Sequence, residues 1–170
     1  DPVTYGASTS CTATVTALSG TNSPTGTVGW AADGSGSFTG SPCTLSGSGG
    51  TSTCSVTYTP TAVGSGSHLI TATYADNGRF IGSSGSQTVT VNRKDVAPVI
   101  TVSSKVYDGG TAAVILTRSL AGVVGSDELT LVGGTAVFAS ADAANGITVT
   151  GSGFTLGGAQ AGNYNLNPAS

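Results

Sequence analysis

The sequence predicts an all-β protein made of two tandem β-sandwiches, and three observations predict it. Charged and helix-forming residues are scarce: only 8% of the 170 residues are charged, Glu occurs once, at Glu128, and Met is absent, whereas Gly numbers 27. Such a chain cannot dress helices with charged outer faces. Short runs alternate apolar residues with Thr or Ser, as in Thr12-Ala13-Thr14-Val15-Thr16-Ala17, Ser55-Val56-Thr57-Tyr58 and Thr88-Val89-Thr90-Val91. That period of two is the pattern of half-buried strands, and Thr suits the wet face because its branched Cβ fits the pleat. Turn residues cut these runs at short intervals, at Gly20 to Pro24, Asp33-Gly34, Pro60 to Gly66 and Asp76-Asn77-Gly78.

Taken in order, the first module (residues 1–94) is expected to place strands at 3–5, 10–18, 26–31, 37–45, 52–59, 68–74 and 86–92, the seven-strand pattern of a sandwich. Trp30, the only Trp, falls in the third, where such folds bury an aromatic against the opposite sheet. A joint follows: Arg93, Lys94 and Asp95 precede Pro98 in a chain otherwise poor in charge, so residues 95–98 read as a solvated linker. The second module (99–170) is expected to run in strands at 99–102, 112–116, 128–132, 135–139, 147–151, 154–156 and 164–166. Tyr107-Asp108-Gly109 reads as a tight turn whose Tyr packs into the sandwich, with Tyr164 as a second core aromatic.

The blocks Pro2-Val3-Thr4-Tyr5-Gly6, Pro24-Thr25-Gly26-Thr27-Val28, Cys54-Ser55-Val56-Thr57-Tyr58-Thr59-Pro60 and His68-Leu69-Ile70-Thr71-Ala72-Thr73-Tyr74 resemble bacterial Ig-like repeats of large secreted and surface proteins. The resemblance covers nearly all of residues 1–92. Lys105-Val106-Tyr107-Asp108-Gly109-Gly110-Thr111, Gly122-Val123-Val124-Gly125-Ser126-Asp127-Glu128-Leu129-Thr130-Leu131 and Ala161-Gly162-Asn163-Tyr164-Asn165-Leu166 resemble, in order, the opening, middle and closing blocks of the YDG/MBG bacterial surface domains. Gly110 departs from that pattern, at a turn. The two resemblances imply tandem Ig-like β-sandwiches serving as a stalk, spacer, adhesin segment or fibre subunit.

Composition narrows the partners. Five basic and eight acidic residues lie scattered, with a net charge of −3, so no basic face tracks nucleic acid. No apolar run approaches the ~20 residues of a membrane span. Neighbouring domains or subunits of a longer array are the expected partners, together with a surface glycan or protein ligand. Carbohydrate binding is one alternative function, for which an exposed Trp or Tyr is needed. Self-assembly by strand addition between copies is another.

Three cysteines bear on the compartment. Cys43 and Cys54 flank a Gly/Ser stretch that reads as a hairpin connection, and their disulfide implies an oxidising, extracellular setting. Cys11–Cys54 is the rival pairing; otherwise Cys11, in phase with Ala13 and Val15, is a small buried thiol.

Chemistry-bearing residues are sparse. Lys105, Glu128 and Asn165 follow the order in which Lys, acid and Asn form an isopeptide crosslink in some pilin-type domains, where a desolvated amine attacks an amide. The bland reading is a surface lysine and turn-forming asparagines. Asp33, Asp76, Asp95, Asp108 and Asp142 sit in expected loops or at the joint, but no run of alternating carboxylates suggests a calcium loop, so no cofactor is expected, with calcium around Asp76 and Asp95 as the alternative. His68 lacks the partners of a catalytic base. The expectation is a protein without enzymatic activity.

Overall fold

The computed structural model describes residues 2–167, and these fall into two compact units that divide between Arg93 and Lys94. Both are all-β, the one helical piece among the described residues being a 3-10 turn at Ala161–Asn163.

In the first unit the strands are β1 (Val3–Thr4), β2 (Thr9–Thr16), β3 (Thr27–Ala32), β4 (Gly36–Thr39), β5 (Cys43–Thr44), β6 (Ser46–Ser48), β7 (Thr51–Pro60), β8 (Ser67–Tyr74) and β9 (Ser83–Asn92). They form one sheet in the order β1-β9-β8-β3-β5 and another in the order β2-β7-β4, with β6 also pairing β7. Alternation does what periodicity predicts: along β7, Ser52, Val56 and Tyr58 are buried while Thr53, Ser55 and Thr57 are exposed. The core gathers Val28, Cys43, Leu45, Val56 and Tyr74, with Trp30, Phe38 and Phe80 packed against it.

Two segments differ from the sequence expectation. The run 37–45 is not one strand: after Gly40 (φ 88) and a cis Ser41–Pro42 bond, it leaves β4 in one sheet and enters β5 in the other. A proline donates no hydrogen bond, so a continuous ladder there would lack a rung. The Gly/Ser stretch between Cys43 and Cys54, expected as a connecting loop, is itself a hairpin. Ser46 to Ser48 pair with Thr53 to Thr51 across Gly49 and Gly50, at φ 66 and 85. Positive φ at both central residues is the tight-turn geometry that matches strand twist, and only Gly adopts it without steric cost.

The second unit comprises β10 (Lys94–Val102), β11 (Ala112–Ala113), β12 (Ile115–Ala121), β13 (Thr130–Phe138), β14 (Val149–Gly157) and β15 (Tyr164–Leu166). Its sheets are β12-β10-β15 and β11-β13-β14. Residues 95–98, expected as a loose linker, lie inside β10: Lys94, Asp95 and Val96 pair with β15, and Ala97 and Pro98 with β12. Charge misled here, because Val96 is 1% exposed while Lys94 is half-buried and Asp95 exposed. Pro98 lies past the pairing with β15, which ends at Val96 with Asn167 N–H donating to Val96 O at 2.9 Å, so on that side no ladder needs its missing N–H. The expected breaks at 133–134 and 152–153 are absent. β13 and β14 run through them in constant register, Gly133 opposite Phe154 and Thr135 opposite Ser152. β12 runs on to Ala121, past the expected strand end at Leu116.

This unit's core is thinner. Val96, Leu131, Ala136 and Tyr164 are its buried apolar side chains among the described residues, and Val99, Val114, Leu116, Val132 and Val137 are exposed.

Candidate functional site

The disulfide joins Cys43 to Cys54 with 5.8 Å between Cα atoms. Cys43 lies on β5 and Cys54 on β7, in different sheets. What reads in sequence as the clasp of a hairpin is therefore a staple across the sandwich, possible because the chain changes sheets at Pro42. Trp30 Nε1–H donates to Cys43 Sγ at 3.2 Å, and the indole packs near Phe38, with ring centroids 6.2 Å apart. The indole is half-buried. Cys11 keeps a free thiol on the inward face of β2, and burial pushes its pKa up.

The first unit holds one buried polar cluster. His68, 1% exposed, has Nε2 3.2 Å from Val63 O and Nδ1 2.6 Å from Tyr58 Oη. A carbonyl only accepts, so Nε2 carries the proton and Nδ1 accepts from the Tyr58 hydroxyl. Tyr58 is held above its ordinary pKa, first by burial and then by the charge of Asp33. Asp33 itself accepts from Leu69 N–H at 2.7 Å. Gly34 and Gly36 pack onto these rings: a Cβ on Gly34 would overlap the His68 imidazole, and one on Gly36 the Tyr58 phenol. Asp33-Gly34-Ser35-Gly36, a turn in sequence, is thus also a lid over a tyrosine–histidine pair. Both ring nitrogens are used internally, so the cluster is built to hold the loop.

The second unit brings few of the sequence candidates together. Lys105 Nζ donates to Gly110 O at 2.9 Å and to Ala112 O at 3.2 Å, and pairs with Asp108 at 2.7 Å. Asn165 Nδ2 donates instead to Asp95 at 3.3 Å, and Glu128 meets Gln160 through its backbone N–H. Among the described residues, the three proposed crosslink partners thus engage separate neighbours. The Lys105 ion pair and the Gly110 N–H hold Asp108 below the usual carboxylate range.

Tyr107 is 67% exposed, against the expectation that it packs into the core. The physical reason is the closure of the turn on itself: Lys105, Asp108 and Gly110 satisfy one another, and the tyrosine between them projects outward. Tyr164, by contrast, is buried as expected, donating to Asp127 and accepting from Val124 N–H at 3.0 Å. The turn aspartates are taken up locally: Asp76 accepts from Gly78 N–H, Asp108 from Gly110 N–H, and Asp142 from Ser140 Oγ. Among the described residues no three His, Cys, Asp or Glu side chains come together as a metal-binding group. No helix of the described residues is long and apolar enough to cross a membrane.

Two clefts remain. In the first unit, one of about 420 Å3 opens between the inward face of β2 (Cys11, Ala13, Val15) and β9 (Gly85, Gln87), beside Trp30. In the second, one of about 570 Å3 lies between the Lys105–Gly110 turn and the segment 138–149.

Neither the curated proteins nor the solved structures contain a match to this chain. Two family models match it, in the order expected from the sequence: a bacterial Ig-like domain (group 3) over residues 1–92 and a YDG domain over residues 88–170. Such domains are typically non-enzymatic structural modules, and this one carries a disulfide suited to the cell exterior or surface. The chain belongs to the bacterial Ig-like domain (group 3) family through its first unit and continues into a YDG domain.

Proposed function

We propose that this chain is a structural and adhesive segment, a stalk or spacer, of a bacterial secreted or cell-surface protein, with neighbouring domains of a longer array as its partners. The observation that carries the reading is the staple across the first sandwich. A disulfide that ties the two sheets of a small domain resists opening in a protease-rich, unchaperoned setting. The polar clusters support it too, since their hydrogen bonds are spent on loops and turns. Antibodies raised against the 170-residue chain, applied to intact cells of the source bacterium and to its culture fluid, test the reading. Labelling without permeabilisation, or protein in the fluid, is the expected result; signal only after lysis contradicts it.

A second reading, a fibre subunit assembled by strand addition, is favoured by one observation. β2 ends its sheet, so its outer edge is unpaired among the described residues; no Lys or Pro guards it, and its inward residues are only half-buried. Sedimentation at rising protein concentration distinguishes the two: a constant monomer favours the spacer, and growing oligomers favour the fibre.

A further inference from the structure

The exposed Tyr107 is among the residues lining the cleft of about 570 Å3, a volume within the ~300–1,000 Å3 range of sites that hold small ligands. Its two walls are each fixed by their own bonds. On one side the Lys105 ammonium ties the turn to Asp108, Gly110 and Ala112. On the other, Ser140 Oγ donates to Asp142 at 2.7 Å and accepts from Asp142 N–H at 3.0 Å. Groups on such walls are positioned before a ligand arrives, which lowers the ordering cost of binding.

The chemistry of what is presented selects the ligand class. Tyr107, Asp142 and Asn145 are exposed and line the cleft, which half-buried Val102, Phe138, Ile147 and Val149 also line. The face of an aromatic ring carries the negative lobe of its quadrupole and attracts the polarised C–H groups of a pyranose. An amide supplies both donor and acceptor, and a carboxylate accepts, so together they read neighbouring hydroxyls. The charge of Lys105 is spent on Asp108. Asp142 then leaves the cleft unfavourable to phosphate or carboxylate. We infer that this cleft binds a neutral oligosaccharide, with Tyr107 as the stacking platform and Asp142 and Asn145 as hydroxyl-reading groups. The inference goes beyond the spacer reading; a spacer needs no ligand, so failure here leaves that reading standing.

The test is an amide-resonance titration of the isotope-labelled 170-residue chain. The probes are neutral oligosaccharides of glucose, galactose, mannose and N-acetylglucosamine, each taken to about 10 mM, which detects millimolar affinity. At least one sugar is expected to shift, saturably, amides confined to residues 103–110 and 139–148. Tyr107→Ala is expected to weaken that binding by about 10-fold or more, Asn145→Ala by about 10-fold, and Tyr107→Trp to retain it. Unchanged resonances of second-unit residues away from the cleft, such as 94–97 and 130–136, certify folding of each variant, and both substituted side chains are exposed. The inference is overturned if no sugar in the panel shifts those amides, if Tyr107→Ala binds as well as the parent, or if sulfated sugars bind better than neutral ones.

Discussion

Gly34 and Gly36 illustrate how much single positions carry in a chain with so few distinctive side chains. Their role was hidden in sequence, where Asp33-Gly34 reads only as turn chemistry; nothing local says that His68 and Tyr58 lie underneath, because both arrive from distant strands. Overpacking such a site costs ~1–3 kcal/mol, so Gly34→Ala and Gly36→Ala are each expected to lower stability by about that amount in chemical denaturation. Tyr164→Phe removes the donor to Asp127 and the acceptor for Val124 N–H, and a loss of ~1–3 kcal/mol is expected. Cys11 is a further residue-level case. Its phase with Ala13 and Val15 predicts a small buried thiol and the side chain is half-buried; because burial raises its pKa, alkylation in the native state at pH 8 is expected to be slow and to become fast on unfolding.

At the scale of elements, alternation located most strands, and the failures cluster where the chain does something other than alternate. The 37–45 run has apolar residues at Phe38, Cys43 and Leu45 that read as one strand, yet it crosses between sheets at the intervening Gly40-Ser41-Pro42, a cue that local pattern reading passes over. Charge around Lys94 and Asp95 imitates a linker, although Val96 and the register with β15 make the segment a strand. The Tyr107 turn fails differently: its motif was legible, but the direction of its tyrosine depends on the Lys105–Asp108 pair closing the turn first. That pair makes the turn acid-sensitive. A carboxylate held below its ordinary value contributes fully above the ordinary range, near pH ~4, and its contribution disappears as pH falls through the depressed value. Carboxyl carbon resonances of Asp108 should therefore titrate below those of a free Asp, together with the Gly110 amide; coincidence with free Asp contradicts the closed turn.

For the whole molecule, the order of the two families and the all-β class were legible because blocks of residues, rather than single positions, carry them. The division of the core was less so. Most buried apolar side chains belong to the first unit, while the second leaves Val99, Val114, Leu116 and Val132 exposed, which makes the second unit the weaker of the two. The disulfide adds to the contrast, contributing ~2–3 kcal/mol in the chain-entropy model for a loop this short. Mechanical unfolding of the full chain, oxidised and then reduced, tests the central claim of two separate cores with one stapled across its sheets. Two extension events are expected, the weaker from the second unit, and reduction should lengthen only the other by about 30–34 Å, the extended span of the 11-residue separation it releases less the 5.8 Å that the disulfide already bridges. A single event for the whole chain, or two events that reduction leaves unchanged, contradicts it.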